Sequence, residues 1–190
     1  MKRLLGFSLI LAAFAVPAMA QDMPKIDLSA GYSFRLFSPT SGAYRGTNGW
    51  YASGNYNIFK RWLGVEIDAE GTYGTHGTYG TTQIYNLLVG PRFYPFGHHK
   101  LTTFAHALLG EGYYRNATPA NAGYPNNVES TYAPSWEVGA GFDLALKEHW
   151  GVRLIELDAG QTRFSVPGTL SVTQGDYRAS VGLTYRFGQK

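Results

Sequence analysis

The sequence predicts an all-β fold, an eight-stranded antiparallel up-and-down transmembrane β-barrel. Three observations predict it: segments of alternating apolar and polar residues, connections that alternate between long and short, and an N-terminal segment typical of an export signal. The alternation is clearest in Leu63 to Tyr73, where one parity is mostly apolar and the other carries Glu66, Asp68 and Glu70. A membrane barrel needs an apolar outer face and a polar inner face, whereas a soluble barrel or sandwich would bury the apolar parity. We therefore expect these carboxylates to face the lumen.

The N-terminus predicts export. A basic start at Met1 to Arg3 precedes an apolar run from Leu4 to Val16, and Ala18-Met19-Ala20 forms a small-residue cleavage site before Gln21. The apolar run is too short to span a bilayer as a helix. Residues 1–20 are therefore predicted to be a signal peptide, and residues 21–190 a single outer-membrane β-barrel domain.

Composition excludes several classes of site. Without the predicted signal peptide, 14 basic residues balance 13 acidic ones, so the net charge of +1 gives no reason to expect nucleic acid as a partner. The chain has no cysteine, which excludes disulfides, thiolate metal sites and a lipoprotein anchor. Its 14 tyrosines and 24 glycines suit a small tilted barrel with aromatic residues at the headgroups.

Eight segments are predicted to be strands. They are Lys25 to Phe37, Asn48 to Phe59, Leu63 to Gly74, Thr82 to Phe96, Leu101 to Arg115, Ala133 to Leu146, Trp150 to Phe164 and Gly175 to Phe187. In the first, third, sixth and eighth strands the apolar parity is clear. Those apolar side chains are predicted to face lipid.

Two strands are less regular. The fifth is apolar on both parities, and placing Glu111 inside directs Phe104 and Leu108 to lipid. In the seventh strand the parity changes, and a β-bulge near Leu154 and Ile155 restores it, because one extra residue shifts the alternation.

The connections predict which end of the barrel faces outwards. Lys60 to Trp62, Gly97 to Lys100 and Lys147 to His149 are short, while the long connections are Ser38 to Thr47, Thr75 to Thr81, Asn116 to Tyr132 and Ser165 to Gln174. Short turns are periplasmic in such barrels and long loops are external, so both termini should be periplasmic. Trp62 and Trp150 are predicted at the rim of the short turns, and Trp50 and Trp136 at the rim of the long loops.

The sequence resembles the small outer-membrane β-barrel domain proteins related to the OmpA transmembrane domain, OmpX and Opa, in the form common in acidobacteria. Three regions carry the resemblance: Phe104 to Gly110, Arg153 to Asp158 with Thr162 to Phe164, and Gly182 to Gly188. The resemblance implies the same fold and the cell outer membrane as location, and it brings no catalytic residues. Because the predicted strands reach the end of the sequence, we expect no peptidoglycan-binding domain of the kind found in full-length OmpA proteins.

The inward parity collects charged residues that we expect to pair across the lumen. They are Glu66, Asp68, Glu70, Arg92, Glu111, Glu137, Asp143, Arg153, Asp158, Arg178 and Arg186. An eight-stranded barrel has room for little beyond its own side chains, so structural packing is favoured over a conduction path. An acid/base pair such as Glu66 and Glu70 is an alternative interpretation of the same residues.

The histidines do not form a predicted metal or catalytic site. His98, His99 and His149 lie in predicted turns, His76 lies in an outer loop, and His106 lies in the strand of uncertain parity. We expect no catalytic, cofactor-binding or metal-binding residues, and no cofactor.

The predicted function is therefore that of a non-enzymatic outer-membrane barrel with a plugged polar lumen and four surface loops, in a structural or surface-interaction role. The expected partners are outer-membrane lipid and lipopolysaccharide, the barrel-assembly machinery, and a surface ligand bound through the loops. The alternatives are a lipid-A-modifying acyltransferase or deacylase, for which Ser135 is the rim serine to test, a narrow solute channel, and a soluble periplasmic ligand-binding barrel. Parity argues against the last, since its lumen would be more apolar than its exterior.

Overall fold

The computed structural model describes residues 24–38, 44–59, 62–75, 81–96, 100–118, 127–164 and 172–188. They form a closed barrel of eight strands in sequence order, with every neighbouring pair antiparallel and β1 pairing with both β2 and β8. The strands are β1 Ile26–Ser38, β2 Arg45–Phe59, β3 Leu63–Thr75, β4 Thr81–Phe93, β5 Leu101–Thr118, β6 Asn127–Ala145, β7 Trp150–Phe164 and β8 Val172–Phe187. The predicted fold class is confirmed.

The strands differ from the prediction mainly at the long connections. The largest difference is in β5 and β6, which stay in register from the pair Leu101 and Leu144 to the pair Thr118 and Asn127. Much of the predicted loop from Asn116 to Tyr132 is therefore strand, and its remainder, 119–126, lies outside the described residues. The predicted signal peptide also lies outside the described residues. Within the described ranges no helix is long and apolar enough to cross a membrane.

The two faces of the barrel are those that the alternation predicted. Ile67 is 54% exposed on the outer face of β3, while its neighbours Glu66 and Asp68 are fully buried inside. The outer surface carries the apolar side chains of β1, β3, β6 and β8, as expected for a barrel surrounded by hydrocarbon.

The predicted orientation of β5 is wrong. Phe104 and Leu108 face inwards and are buried, and Glu111 is exposed on the outer face. A membrane-spanning strand needs about 9–11 residues, and Glu111 is the eleventh residue of a strand that continues to Thr118. A carboxylate at this level lies near the headgroups, where an outward charge costs little.

The predicted irregularity in β7 is confirmed. The pairing of β7 with β8 shifts between Arg153 and Glu156, and Leu154 and Ile155 are both exposed on the outer face. Glu156 and Asp158 consequently return to the interior. The extra residue explains how one strand carries two blocks of opposite parity.

Aromatic rings surround both ends of the outer surface. At the end with the short turns, which we call the short-turn end, Trp62 stacks between Phe59 and Phe93, with ring centroids 5.8 and 6.4 Å away. Trp150 meets Tyr185 edge-on at 4.7 Å. Trp50 and Trp136 are exposed on the outer face, but Trp136 lies further from the start of its strand than predicted because β6 begins at Asn127.

Candidate functional site

The interior of the barrel is the candidate site, because nearly all the buried charge of the described residues is found there. The buried carboxylates are Asp27, Glu66, Asp68, Glu70, Glu137, Asp143, Glu156, Asp158 and Asp176. The buried cations are Arg35, Arg92, Arg153, Arg178 and Arg186, and His106 is also buried. Nine carboxylates thus face five arginines and one imidazole.

The structure brings together every predicted lumen charge except Glu111. The charges predicted to line the lumen did not include Asp27, Arg35, His106 and Asp176, whereas the predicted bulge in β7 places Glu156 inside, as observed. A signal for three of them was available, since Asp27 and Arg35 alternate with outward residues of β1, and Asp176 precedes the outward Tyr177. His106 was missed because β5 is apolar on both parities.

Arg35 binds carboxylates near the end with the long connections, which we call the long-loop end. Its guanidinium pairs with Glu70 and Glu137, and lies 2.6 Å from Asp176. Asn86 adds a hydrogen bond of 2.6 Å to Glu70. Because β1 and β6 are three strands apart around the barrel, the pair between Arg35 and Glu137 crosses the lumen.

Arg178 is the most highly connected side chain of the interior. Its nitrogen atoms lie 2.9 Å from Asp68, 2.9 Å from Glu70 and 2.8 Å from Asp158, and 3.5 Å from Glu137. These carboxylates come from β3, β6 and β7, while Arg178 lies on β8. The planar guanidinium suits this role, since its five N–H groups point in fixed directions towards several acceptors.

Arg92 and Arg153 form a second cluster nearer the short-turn end. Arg92 lies 2.7 Å from Glu66, and Arg153 lies 3.0 Å from Asp143 and 2.8 Å from Glu156. Both guanidinium groups lie over the ring of Phe104, with guanidinium carbons 3.5 Å and 4.6 Å from its centroid. These cation–π contacts explain why an aromatic residue is stable inside a polar lumen.

His106 lies between the two clusters with carboxylates on both sides. Its Nδ1 is 2.9 Å from Glu66 Oε2 and 3.6 Å from Glu156 Oε1, and its Nε2 is 2.8 Å from Asp158 Oδ1. Gly139 passes beside this group, and a side chain there would overlap the Asp158 carboxylate. The absence of a Cβ at Gly139 is therefore required for the ring and the carboxylate to meet.

A hydrogen-bond network around the Asp27 carboxylate closes the interior near the short-turn end. The Tyr94 hydroxyl donates to Asp27 at 3.2 Å, and Asn57 donates to the same carboxylate at 3.0 Å. Asn55 donates to the Tyr94 oxygen at 2.9 Å, and Arg186 lies 3.7 Å from Asp27. This layer ties β1, β2 and β8 to the turn that follows β4.

Ser135, the candidate nucleophile, faces the lumen. It is buried on the inner face of β6, and its hydroxyl shares a 3.0 Å hydrogen bond with Thr162. His149 stacks on Tyr185 at the short-turn end, with ring centroids 5.8 Å apart. His76, His98 and His99 fall outside the described residues.

The acid/base alternative for Glu66 and Glu70 is also weakened by geometry. Glu66 is held by Arg92 and His106, while Glu70 is held by Arg35 and Arg178 in the other cluster. The two carboxylates therefore have separate partners and face separate groups.

Solved structures share this architecture. Neisserial surface protein A aligns with 86% of this chain and 97% of its own, at 13% identity and a TM-score of 0.66. Ail, the attachment invasion locus protein of Yersinia pestis, aligns with 85% of this chain and 99% of its own, at 17% identity and a TM-score of 0.56. OprG of Pseudomonas aeruginosa aligns with 88% of this chain and 98% of its own, at 14% identity and a TM-score of 0.54. At these identities the likeness concerns the fold.

Sequence comparison identifies the family. No curated protein is significantly similar to the chain. The family model of the outer membrane protein beta-barrel domain matches residues 7–187, which include all eight strands. That the chain has the acidobacterial form stays a prediction. The chain belongs to the outer membrane protein beta-barrel domain family and is located in the outer membrane.

Proposed function

We propose that the chain is a non-enzymatic outer-membrane barrel whose lumen is plugged by its own side chains and whose four long connections contact partners outside the cell. The observation that carries the first half is the ion-paired interior. Arg35, Arg92, Arg153 and Arg178 are each less than 2% exposed. Arg35 and Arg178 pair with carboxylates across the lumen, while Arg92 and Arg153 pair mainly with carboxylates on the same or neighbouring strands. Breaking such pairs to open a path leaves buried charges without partners, which is costly.

A plugged lumen predicts that the folded protein conducts no ions. In a planar lipid bilayer, purified wild-type protein should give no stable, reproducible conductance steps, because the guanidinium groups and carboxylates occupy the space that ions would need. A double variant with Arg35→Ala and Glu70→Ala removes one such pair. It serves as the positive control, in which conductance steps are expected. Regular steps from the wild-type protein would exclude a plugged lumen and favour the narrow channel.

The second half of the proposal is supported by the outer surface at the long-loop end. A row of tyrosine rings runs across neighbouring strands: Tyr73 meets Tyr85 at 5.7 Å, Tyr85 meets Tyr113 at 6.2 Å, and Tyr113 meets Tyr132 at 4.7 Å. Tyrosines in such a row suit the headgroup layer. Beyond it, β5 continues for five residues, 114–118, so the β5–β6 pair extends about 16 Å further along the strand direction.

The names of similar structures support a surface role for such barrels. One is a Neisserial surface protein, and another is an attachment invasion locus protein that has also been solved in complex with the heparin analogue sucrose octasulfate. For this chain we propose lipid and lipopolysaccharide around the apolar exterior, the barrel-assembly machinery during insertion, and a surface ligand at the projecting hairpin. Exposed aromatic groups at the base of this hairpin, such as Tyr132, 67% accessible, are suitable contact points.

The topology predicts that the β5–β6 connection is outside the cell. An epitope tag inserted between Asn121 and Ala122 should be stained by antibody on intact cells, and the barrel should still show a heat-dependent mobility shift on a denaturing gel. A tag placed in the turn at Glu148 is the matched control and should be stained only after the outer membrane is permeabilised. The reverse staining pattern would place the long connections in the periplasm.

The lipid-modifying alternative receives no support from Ser135. A serine nucleophile needs a base within hydrogen-bond reach, and the partner of Ser135 is Thr162. The geometry therefore favours the non-enzymatic role, and Ser135→Ala should leave the lipid A of expressing cells unchanged by mass spectrometry.

A further inference from the structure

We infer that Glu66, His106 and Glu156 form a buried site for one divalent transition-metal ion inside the barrel, with Asp158 orienting the histidine. This inference is independent of the proposed surface role. The three ligand atoms, His106 Nδ1 and one oxygen of each glutamate, all lie within 4.8 Å of one another. Imidazole and carboxylate are ligands that Zn²⁺ and related ions accept.

The histidine is positioned as a metal ligand would be. Its Nε2 lies 2.8 Å from Asp158 Oδ1, so Nε2–H donates to that carboxylate and Nδ1 is left facing the two glutamates. Metal-binding histidines usually donate their second ring N–H to a carboxylate in this way, which fixes the tautomer and the ring orientation. Asp158 is itself held by Arg178 at 2.8 Å.

Each glutamate is oriented by an arginine through its other oxygen. Arg92 binds Glu66 Oε1 at 2.7 Å, which leaves Oε2 directed at His106 Nδ1. Arg153 binds Glu156 Oε2 at 2.8 Å. The free oxygen, Glu156 Oε1, lies 3.6 Å from the same Nδ1.

Glu156 Oε1 is the observation that points to a ligand. The side chain is fully buried, and this oxygen has no hydrogen-bond partner among the described residues, its nearest cationic groups being His106 Nδ1 at 3.6 Å and Arg178 Nη2 at 4.0 Å. A buried carboxylate oxygen without a partner is costly, and a cation at the point it faces would satisfy it. The excess of buried carboxylates over arginines favours an additional positive charge in the same region.

In the absence of metal, a proton on Nδ1 can bridge His106 to Glu66. When the metal ion binds, it takes the place of this proton, which leaves to solvent, and the two carboxylates supply the negative charge. Because the ligands lie on β3, β5 and β7, a bound ion links three strands that are not neighbours. The expected result is a more stable barrel in the presence of metal.

The test uses the full mature chain, folded in detergent, stripped of metal with a chelator and titrated with Zn²⁺ alone. Isothermal titration calorimetry should show one saturable site per chain, and the thermal midpoint should rise with Zn²⁺. Glu156→Gln keeps the shape of the side chain and should weaken binding about 100-fold, since loss of an outer partner alone typically costs 10–100-fold. Asp176→Asn alters a buried carboxylate outside the site and should bind as the wild type does.

The adjacent pair His98 and His99 is the other place where Zn²⁺ could bind, so a variant with both changed to Ala is titrated in parallel and should retain the site. X-ray absorption of the zinc-loaded wild type needs no variant to fold, and should show one imidazole with carboxylate oxygens at about 2.0–2.2 Å. Three results would overturn the inference: no saturable binding, equal binding by wild type and Glu156→Gln, or loss of all binding when His98 and His99 are replaced.

Discussion

Replacing Arg178 with methionine should destabilise the barrel by about 3–5 kcal/mol, because methionine fills similar space but leaves buried carboxylates without their cation. Arg178 lies within 3 Å of three carboxylates on two other strands. The side chain of Asp68 is the most dependent of these, since its ion pair is with Arg178 and its other oxygen has no hydrogen-bond partner among the described residues. The free energy of unfolding is measured by urea titration in lipid vesicles, followed by tryptophan fluorescence.

A double-mutant cycle separates charge from packing in this experiment. Adding Asp68→Asn to Arg178→Met removes one of the uncompensated charges and should restore part of the lost stability, whereas Asp68→Asn alone should be less harmful than Arg178→Met. Arg163→Met is the matched control, since Arg163 lies on the neighbouring strand and is exposed. A cost for Arg178→Met no larger than that for Arg163→Met would mean that the interior network does not stabilise the fold.

The strands that lie wholly within lipid could be predicted from the sequence, and β3 shows why. Its predicted bounds, Leu63 to Gly74, differ from the structure by one residue, because an apolar outer parity and a charged inner parity leave a single orientation. The start of β6 was missed by six residues. Residues 127–131 project beyond the expected membrane level, where lipid no longer imposes alternation, so their polar sequence resembles a loop.

The composition of the interior was also largely predictable, but its pairing was not. Alternation assigns a side chain to the lumen, while the partner across the lumen depends on the tilt and stagger of strands three positions apart. The contact between Arg35 and Glu137 joins residues about a hundred positions apart and has no local signal. His106 could not be assigned to the lumen until β5 was oriented. The orientation of β5 depends on the contacts by which Arg92 and Arg153 stabilise Phe104 inside the barrel, and these have no local signal in the sequence.

The second large effect on stability is expected on the outer face, where an introduced cation would lie in the hydrocarbon of the membrane. Ile67 is more than half exposed and is the fifth of the thirteen residues of β3, two residues from the middle of the strand. Ile67→Arg should destabilise the barrel by about 2–4 kcal/mol in lipid vesicles, because the guanidinium has no partner at this depth. Leu101→Arg, at the first residue of β5, places the same group near the short-turn end and should cost about 0–1 kcal/mol.

The comparison of these two variants tests the depth of the barrel in the membrane as well as the orientation of its faces. Urea titrations of both should be made in the same vesicles, with Ile67→Leu as the control for loss of the native side chain. If Ile67 faced the polar lumen, the arginine would not enter the hydrocarbon and the cost would be smaller. Equal costs at Ile67 and Leu101 would contradict the expected positions of these two residues in the membrane, because the energetic cost of a lipid-facing cation decreases steeply towards the headgroups. A larger cost at Ile67 is the result that the outward parity and the position along β3 together require.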